Sequence, residues 1–226
     1  MKVLVLNGSP KKNSDTMCLP KAFLRGIEKS DSHSIEIVNV IEKVIHPCTG
    51  CFACWNLQNG KCVQNDDQNE ILEKIKDADV VLWSFPLYCY GMPSHLKAVV
   101  DRLIPFMKMS MTEQGGVVRH DALVDLSAKH FVVLAGCGFP HWNGNFEGLR
   151  MQCRKLFPDH LTMVCVTETP LLNVPAAEPL TTPLLEKFEK AGAHYARNLS
   201  LSDEILASLE TPMLPNDTYI QMVNAL

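Results

Sequence analysis

Residues 1–16 read MKVLVLNGSPKKNSDT, a short aliphatic run followed by a loop rich in polar residues, glycine and proline. The β-branched and aliphatic residues 2–6 are typical of a strand, and residues 7–10 (NGSP) are of types that end regular structure. Apolar residues then recur near helical spacing over residues 14–29. A strand, a polar loop and a helix in this order predict the first unit of an α/β domain.

The same alternation continues along the chain. It predicts further strands at residues 35–40, 79–84, 131–135 and 161–167, and further helices at residues 67–75, 93–106, 146–157 and 182–199. Asp67 and Glu70 have the spacing of a capping box at the start of one of these helices. Five strands separated by helices predict a doubly wound α/β fold with a five-stranded parallel sheet.

Two segments fall outside this alternation. Residues 108–126 contain a Gly-Gly pair and are predicted to form a flap or hairpin before the fourth strand. Residues 200–226 follow the last expected helix and are predicted to be a tail that packs on the domain or on a partner subunit. The predicted domain therefore spans residues 1–199.

Composition narrows the classes of function. The 226 residues are 46% hydrophobic and carry a net charge of −4, which argues against nucleic acid or an anionic membrane as the main partner. No apolar run reaches the roughly 18 to 20 residues that span a bilayer, and the first apolar run is too short for a signal peptide. We therefore expect a cytoplasmic protein, whose nine cysteines are metal ligands, catalytic thiols or core residues rather than disulfides.

The loop after the first strand has the chemistry of a phosphate site. In sheets of this kind ligands bind outside the carboxyl ends of the strands, and the N-terminus of a helix favours an anion. No Gly-Lys-Ser/Thr follows at the spacing of a nucleoside triphosphate loop, and a polar turn that only caps the helix is the alternative. The residues predicted to bind here are Ser9, Lys11, Asn13, Ser14, Thr16 and Met17.

The loops after the third and fourth strands predict a site for a flat ring. Prolines and glycines stiffen and expose the backbone, and tyrosines offer flat faces for stacking. The residues are Pro86, Leu87, Tyr88, Cys89, Tyr90 and Gly91 in one loop, and Gly136, Cys137 and Gly138 in the other. Either loop alone is compatible with a rigid turn. Together with the first loop they predict a phosphate beside a planar ring. His141 and Trp142 are expected either at the edge of the pocket or in the packing of the loop.

Four cysteines are concentrated in the segment after the second strand. Cys48, Cys51 and Cys54 are separated by two residues each, a spacing that binds three irons of a [4Fe–4S] cluster, and Cys62 is available as the fourth ligand. Zinc bound by four thiolates and thiols that bind no metal are the alternatives. The remaining cysteines, on mostly apolar elements, are predicted core residues: Cys18, Cys89, Cys137, Cys153 and Cys165.

Three separated motifs resemble the NADPH-dependent FMN reductase family: NGSPKKNSDT at residues 7–16, PLYCYGMP at 86–93 and LKAVVDR at 96–102. The resemblance covers about the first 165 residues. It implies a flavodoxin-like sheet with strand order 2-1-3-4-5, FMN as the cofactor, and a nicotinamide dinucleotide as a partner. The residues it assigns to phosphate are Ser9, Lys11, Asn13, Ser14 and Thr16, and those around the flavin are Pro86, Leu87, Tyr88 and Gly91. Asp101 and Arg102 also match the family pattern, and we interpret them as a helix-surface ion pair.

The cysteine spacing, with Asp66 and Asp67 downstream, is similar to that of the iron–sulfur flavoproteins, a branch of this group that binds a [4Fe–4S] cluster. Flavin reductases without clusters are similar over the same stretch. We therefore predict an FMN-dependent NAD(P)H oxidoreductase that passes electrons to a quinone, a flavin or another small acceptor, with the chemistry on the flavin. An electron carrier that uses FMN and a cluster between protein partners is the alternative. The resemblance also implies a homodimer or homotetramer.

Overall fold

The structure is a computed structural model that describes residues 1–30 and 32–225. Its strands are β1 (Lys2–Asn7), β2 (Ser34–Asn39), β3 (Val80–Pro86), β4 (Met107–Gln114), β5 (Val117–Ala122), β6 (His130–Gly136) and β7 (Leu161–Val166). Its α-helices are α1 (Cys18–Glu28), α2 (Ala53–Leu57), α3 (Gln68–Asp77), α4 (Ser94–Asp101), α5 (Glu147–Leu156), α6 (Glu178–Asn198), α7 (Asp203–Leu209) and α8 (Asn216–Asn224).

The central sheet has the order β2-β1-β3-β6-β7, and all of its neighbouring strands are parallel. When only these five strands are counted, the order is 2-1-3-4-5. The flavodoxin-like, doubly wound α/β fold is therefore confirmed. Each predicted strand agrees with the observed one to within two residues at either end, because these apolar runs are bounded by turn-forming residues.

Side chains that alternate along the strands divide the core into two layers. In β3, Val81 and Trp83 pack with α3, α4 and α5, whereas Val80 and Leu82 pack with α1 and α6. All four side chains are essentially inaccessible to solvent. Both faces of the sheet are therefore covered, which leaves the carboxyl ends of the strands as the place where loops can form a site.

Helix α1 and helix α6 approach each other unusually closely on one of these faces. A β-carbon at Gly26 would lie 1.9 Å from the carbonyl oxygen of Glu189, and one at Gly192 would lie 1.9 Å from that of Phe23. Each glycine therefore packs against the backbone of the opposite helix. No larger residue fits at either position without moving the two helices apart.

The predicted capping box is wrong. The Asp67 carboxylate accepts a hydrogen bond from the backbone N–H of Val44 at 2.7 Å instead of capping α3, and Glu70 pairs with Lys43 and Lys74. Both carboxylates are thus used by partners outside the first turn of the helix. The helix predicted at residues 93–106 is also divided: α4 ends at Asp101, and a separate 3-10 turn follows at Ile104–Phe106.

The segment predicted as a flap or hairpin is the antiparallel hairpin of β4 and β5. Gly115 and Gly116 turn the chain with φ angles of 58° and 77°, which glycine adopts without strain. Every residue of β4 is exposed, and Trp55 of α2 packs against His120 of β5 with ring centroids 5.0 Å apart. The hairpin therefore lies beside the four-cysteine segment.

The C-terminal tail contacts the sheet domain through buried side chains. Leu209 joins the core beneath α6, and Tyr219 is also buried. The buried Glu168 carboxylate accepts hydrogen bonds from the backbone N–H groups of Met213 and Leu214, and burial raises the pKa of this carboxyl group. The division into a domain of residues 1–199 and a tail stays a prediction. Within the described ranges, no helix has the length and apolar character to cross a membrane.

Candidate functional site

The phosphate loop predicted after β1 is held in place by its neighbours. The Gly8 N–H donates to the carbonyl oxygen of Ser84 at 2.8 Å, and the Gly8 carbonyl oxygen accepts from Nε2 of His95 at 2.9 Å. Burial lowers the pKa of His95, which favours the neutral ring as donor. Sequence reasoning missed His95, because its partner lies 87 positions earlier in the chain. The loop backbone is therefore fixed from β3 and from α4.

The hydroxyl side chains of this loop turn inward. Ser9, Ser14 and Thr16 are 3%, 6% and 3% exposed, and Met17 is buried beside them. Ser14 Oγ accepts from the Met17 N–H at 3.1 Å, and Ser9 Oγ accepts from the backbone N–H of Lys11 at 3.4 Å. In both serines the hydroxyl hydrogen remains free to donate to a ligand.

Lys11 and Asn13 have a different placement, because both are exposed. The Lys11 ammonium pairs with Asp15 at 2.9 Å, and the same carboxylate accepts from Nδ2 of Asn173 at 2.7 Å. The positive charge predicted to bind phosphate is therefore already balanced by a carboxylate. Backbone and hydroxyl groups are left as the stronger donors of the loop.

The backbone of residues 12–16 fits an anion. No hydrogen bond joins these five consecutive N–H groups to another described residue, although Ser14 and Thr16 are buried. They stand immediately before α1, where unpaired N–H groups and the helix dipole favour negative charge. The loop therefore provides a group of donors with the chemistry that a phosphate requires.

The loop after β3 forms a tight, strained turn. Tyr88 and Gly91 exchange two backbone hydrogen bonds of 3.0 Å, and the two residues between them, Cys89 and Tyr90, have φ angles of 46° and 64°. These left-handed conformations are unfavourable for residues with side chains, and such strain is concentrated at functional sites. Cys89 is exposed here, so its prediction as a core residue is wrong. The turn presents Tyr88, Cys89 and Tyr90 to solvent, and Pro86 and Leu87 are half-buried at its base.

The loop after β6 lies next to this turn. The Leu87 N–H donates to the carbonyl oxygen of Gly136 at 2.7 Å, and the rings of Tyr90 and Phe139 stand parallel with centroids 6.3 Å apart. Phe139 was missed by sequence reasoning, because only the fold brings it opposite Tyr90. The aromatic faces of the two loops therefore lie at one rim, where Trp142 and His141 are also exposed.

One glycine of this second loop has a packing role that the sequence did not predict. A β-carbon at Gly136 would lie 2.5 Å from Cγ2 of Thr169, so internal packing by itself accounts for a glycine here. Gly138 is exposed, and Cys137 is buried, with burial raising its pKa to about 11. At neutral pH the Cys137 thiol is therefore protonated and packs as an apolar group.

The four cysteines after β2 surround a single pocket. Cys54 is buried, Cys62 is partly buried, and Cys48 and Cys51 are exposed. Gly50 and Phe52, with φ angles of 64° and 53°, bend the chain before α2. The residues that line the pocket are Cys48, Thr49, Gly50, Cys51, Phe52, Cys54, Cys62, Val63, Gln64, Arg102, Ile104 and Pro105.

The prediction that Arg102 forms a helix-surface ion pair with Asp101 is wrong. The Arg102 side chain is 1% exposed, and it makes a two-point ion pair with the fully buried Asp66, at 2.5 and 2.9 Å. Burial raises the pKa of Asp66, but the hydrogen bonds from Arg102 lower it, and the net result is a pKa of about 2. Asp101, by contrast, does form a surface ion pair, with Lys97. Arg102 therefore belongs to the wall of the cysteine pocket.

Within the described ranges, no three His, Cys, Asp or Glu side chains converge on a point that would hold one metal ion. A zinc site needs such convergence, because four ligands bind one ion. In a cubane cluster each thiolate binds a different iron, so the cysteines surround a space instead. Among the described residues, the four cysteines line one pocket without converging on one point.

Comparisons with known proteins give one family and two kinds of relatives. A family model described as NADPH-dependent FMN reductase matches residues 1–135. An iron–sulfur flavoprotein of Archaeoglobus fulgidus is 33% identical over 106 residues, 47% of each chain. FMN-dependent NADH:quinone oxidoreductase 1 of Bacillus anthracis is 27% identical over 130 residues, 51% of this chain and 59% of that protein. The aligned region thus spans about half the length of these curated relatives.

Solved structures support the fold over a longer stretch. The NAD(P)H:quinone oxidoreductase from Methanothermobacter marburgensis has a TM-score of 0.61 at 18% identity, covering 86% of this chain and 96% of its own. An FMN-dependent NADH-azoreductase from Bacillus anthracis, in complex with FMN, has a TM-score of 0.59 at 20% identity. The match covers 88% of this chain and 98% of that chain. At these identities the likeness is one of fold.

Proposed function

Because the chain belongs to the NADPH-dependent FMN reductase family, we propose that it is an FMN-dependent oxidoreductase. It passes electrons from NADPH or NADH to a quinone, a flavin or another small acceptor. The observation that carries this proposal is the run of unpaired N–H groups over residues 12–16, at the carboxyl edge of the sheet. Family membership supports the prediction of an oxidoreductase.

Each of the three loops binds a different part of FMN. The N–H groups of residues 12–16, with the hydroxyls of Ser9, Ser14 and Thr16, donate to the phosphate. The stiff backbone of residues 86–91 supplies hydrogen bonds along the edge of the ring, and residues 136–138 border it from the next loop. FMN, when bound, supplies the hydride and electron chemistry, so no acid or base side chain is required.

The protein has an exposed aromatic surface to which the second reactant can bind. Tyr90 is 60% exposed and Phe139 is 44% exposed, and both stand at the rim formed by the two aromatic loops. Flat, exposed rings of this kind suit a nicotinamide or a planar acceptor. A homodimer or homotetramer, which the family resemblance implies, would complete this edge with a neighbouring subunit. Light scattering at micromolar concentration tests that prediction, and a monomer contradicts it.

The activity is tested on the FMN-loaded protein under anaerobic conditions. We expect added NADPH or NADH to reduce the bound flavin and to be oxidised continuously when a quinone or free flavin is supplied. A protein that binds FMN but is reduced by neither nicotinamide contradicts the enzyme proposal. That result would favour the electron carrier.

We propose in addition that the four-cysteine pocket holds a [4Fe–4S] cluster. The observation that favours it is that Cys48, Cys51, Cys54 and Cys62 all line one pocket. Relatives named iron–sulfur flavoproteins are consistent with this assignment. A cluster in this pocket would relay single electrons to a partner.

Metal analysis of anaerobically purified protein tests the cluster. We expect four irons and four sulfides per chain, and a Cys62→Ser variant should lose at least one iron and the four-iron spectrum. Cys18→Ser is the matched control, because Cys18 lies in α1 outside the pocket, and it should keep the full iron content. One zinc per chain, or no metal after reconstitution with iron and sulfide, contradicts the proposal.

A further inference from the structure

A buried positive charge lies in the wall of the four-cysteine pocket. Of the described residues that line this pocket, Arg102 is the only one with a charged side chain, and it is 1% exposed. Its two terminal nitrogens donate to Asp66, and one of them also donates to the carbonyl oxygen of His46 at 3.1 Å. These contacts fix the plane and the position of the guanidinium group.

The third nitrogen of this guanidinium is unpaired. Arg102 Nε is buried and has no hydrogen-bond acceptor among the described residues. Buried donors almost always have a partner, so an unpaired one beside a pocket indicates an acceptor that the protein alone does not supply. Cys62, one of the four cysteines, lines the same pocket as Arg102.

We propose that Arg102 stabilises added negative charge in the four-cysteine pocket and thereby sets the reduction potential of the cluster held there. The inference rests on the proposed cluster. Four thiolates bring more negative charge than the iron–sulfur core brings positive charge, so the occupant is an anion. One electron taken from the flavin increases that negative charge by one, and a fixed guanidinium in a medium of low dielectric constant favours the reduced form.

Asp66 opposes this effect. Its carboxylate is fully buried and holds Arg102 at two points, so it both orients the guanidinium and offsets part of its charge. Removing the positive charge should therefore make reduction harder, whereas removing the negative charge of Asp66 should make it easier. Shifts of opposite sign separate an electrostatic role from a structural one, because loosening the pocket would move both variants in the same way.

The test is a redox titration of the anaerobically purified holoprotein, followed by electron paramagnetic resonance of the reduced cluster. Arg102→Gln should lower the equilibrium constant of reduction at least tenfold, about 59 mV for a one-electron couple. Asp66→Asn should raise it, and Arg102→Lys, which keeps the charge, should lie between wild type and Arg102→Gln. Asp101→Asn removes an exposed charge one position away and is the matched control, with an expected change below threefold.

The outcomes separate the two proposals. A wild-type protein that takes up no iron and sulfide overturns the cluster and this inference with it. A wild-type protein with a cluster, in which Arg102→Gln and Asp66→Asn shift the potential in the same direction or not at all, overturns the inference alone. If Arg102→Gln fails to fold or to hold iron, the comparison of Arg102→Lys with Asp66→Asn decides: Asp66→Asn must raise the equilibrium constant of reduction.

Discussion

Replacing Ser9, Ser14 and Thr16 together by alanine is expected to weaken FMN binding about a thousandfold or more. Each hydrogen bond to a charged group is worth about 1.5 to 3 kcal/mol, and 1.4 kcal/mol is a factor of ten in affinity. Three such bonds therefore account for a thousandfold loss even at the lower value. Binding of FMN to the apoprotein, measured by quenching of flavin fluorescence, gives the affinity.

Riboflavin is the internal control for this experiment, because it has the ring of FMN without the phosphate. We expect the triple variant and the wild type to bind riboflavin about equally weakly. An equal loss of riboflavin would show that the loop had collapsed. Retention of FMN at the wild-type affinity would show that the phosphate lies elsewhere.

A second control accounts for the structural role of Ser14. Its Oγ accepts the N–H of Met17, so the variant also loses a hydrogen bond at the start of α1, at a cost of about 0.5 to 2 kcal/mol. Ser202 Oγ accepts the N–H of Ile205 at the start of α7 in the same way. Ser202→Ala should therefore lose comparable stability in thermal unfolding while FMN affinity stays unchanged.

The parts of the fold that sequence reasoning predicted are those that depend on local pattern. The central strands are short apolar runs bounded by turn residues, and burial on both faces makes their composition distinctive. The strand order does not follow from such patterns. It came from the resemblance of three motifs to a family, and the observed order agrees with it.

The predictions that failed depend on partners distant in the chain. Asp67 was expected to cap its own helix, but its carboxylate accepts the N–H of Val44 instead. Arg102 was expected on a helix surface, but it forms a buried ion pair with Asp66, which lies 36 positions earlier in the chain. A local spacing rule contains neither contact, because the first joins residues 23 positions apart and the second joins residues 36 positions apart.

The same distinction applies to the candidate site. The three candidate loops could be chosen from the sequence, because their residue types and their position at the ends of strands are visible in it. That they bind a ligand stays a prediction. The packing requirement at Gly136 could not be predicted, since it arises from Thr169, which occupies the space that a side chain would need. Glycine at a strand end is thus compatible with close packing as well as with a ligand.

Gly26→Ala and Gly192→Ala are each expected to destabilise the protein by about 3 kcal/mol, and the double variant is expected not to fold. Either β-carbon would lie 1.9 Å from a backbone carbonyl oxygen of the opposite helix, and backbone atoms have no alternative rotamer to adopt. Helices α1 and α6 would have to separate, which costs packing along their whole contact. A typical domain is stable by only 5 to 15 kcal/mol, so two such losses, about 6 kcal/mol together, exceed the whole stability of a domain at the lower end of this range.

Gly148→Ala is the matched control, since Gly148 lies in α5 and nothing is within 4 Å of the β-carbon that it would gain. Alanine is the better helix former, so this variant should have unchanged stability or gain up to about 1 kcal/mol. Urea unfolding followed by circular dichroism measures all the variants on one scale. Unfolding midpoints for Gly26→Ala and Gly192→Ala that match that of Gly148→Ala would mean that α1 and α6 are farther apart than described. Because α1 begins directly after the phosphate loop, single variants that still fold should also bind FMN more weakly.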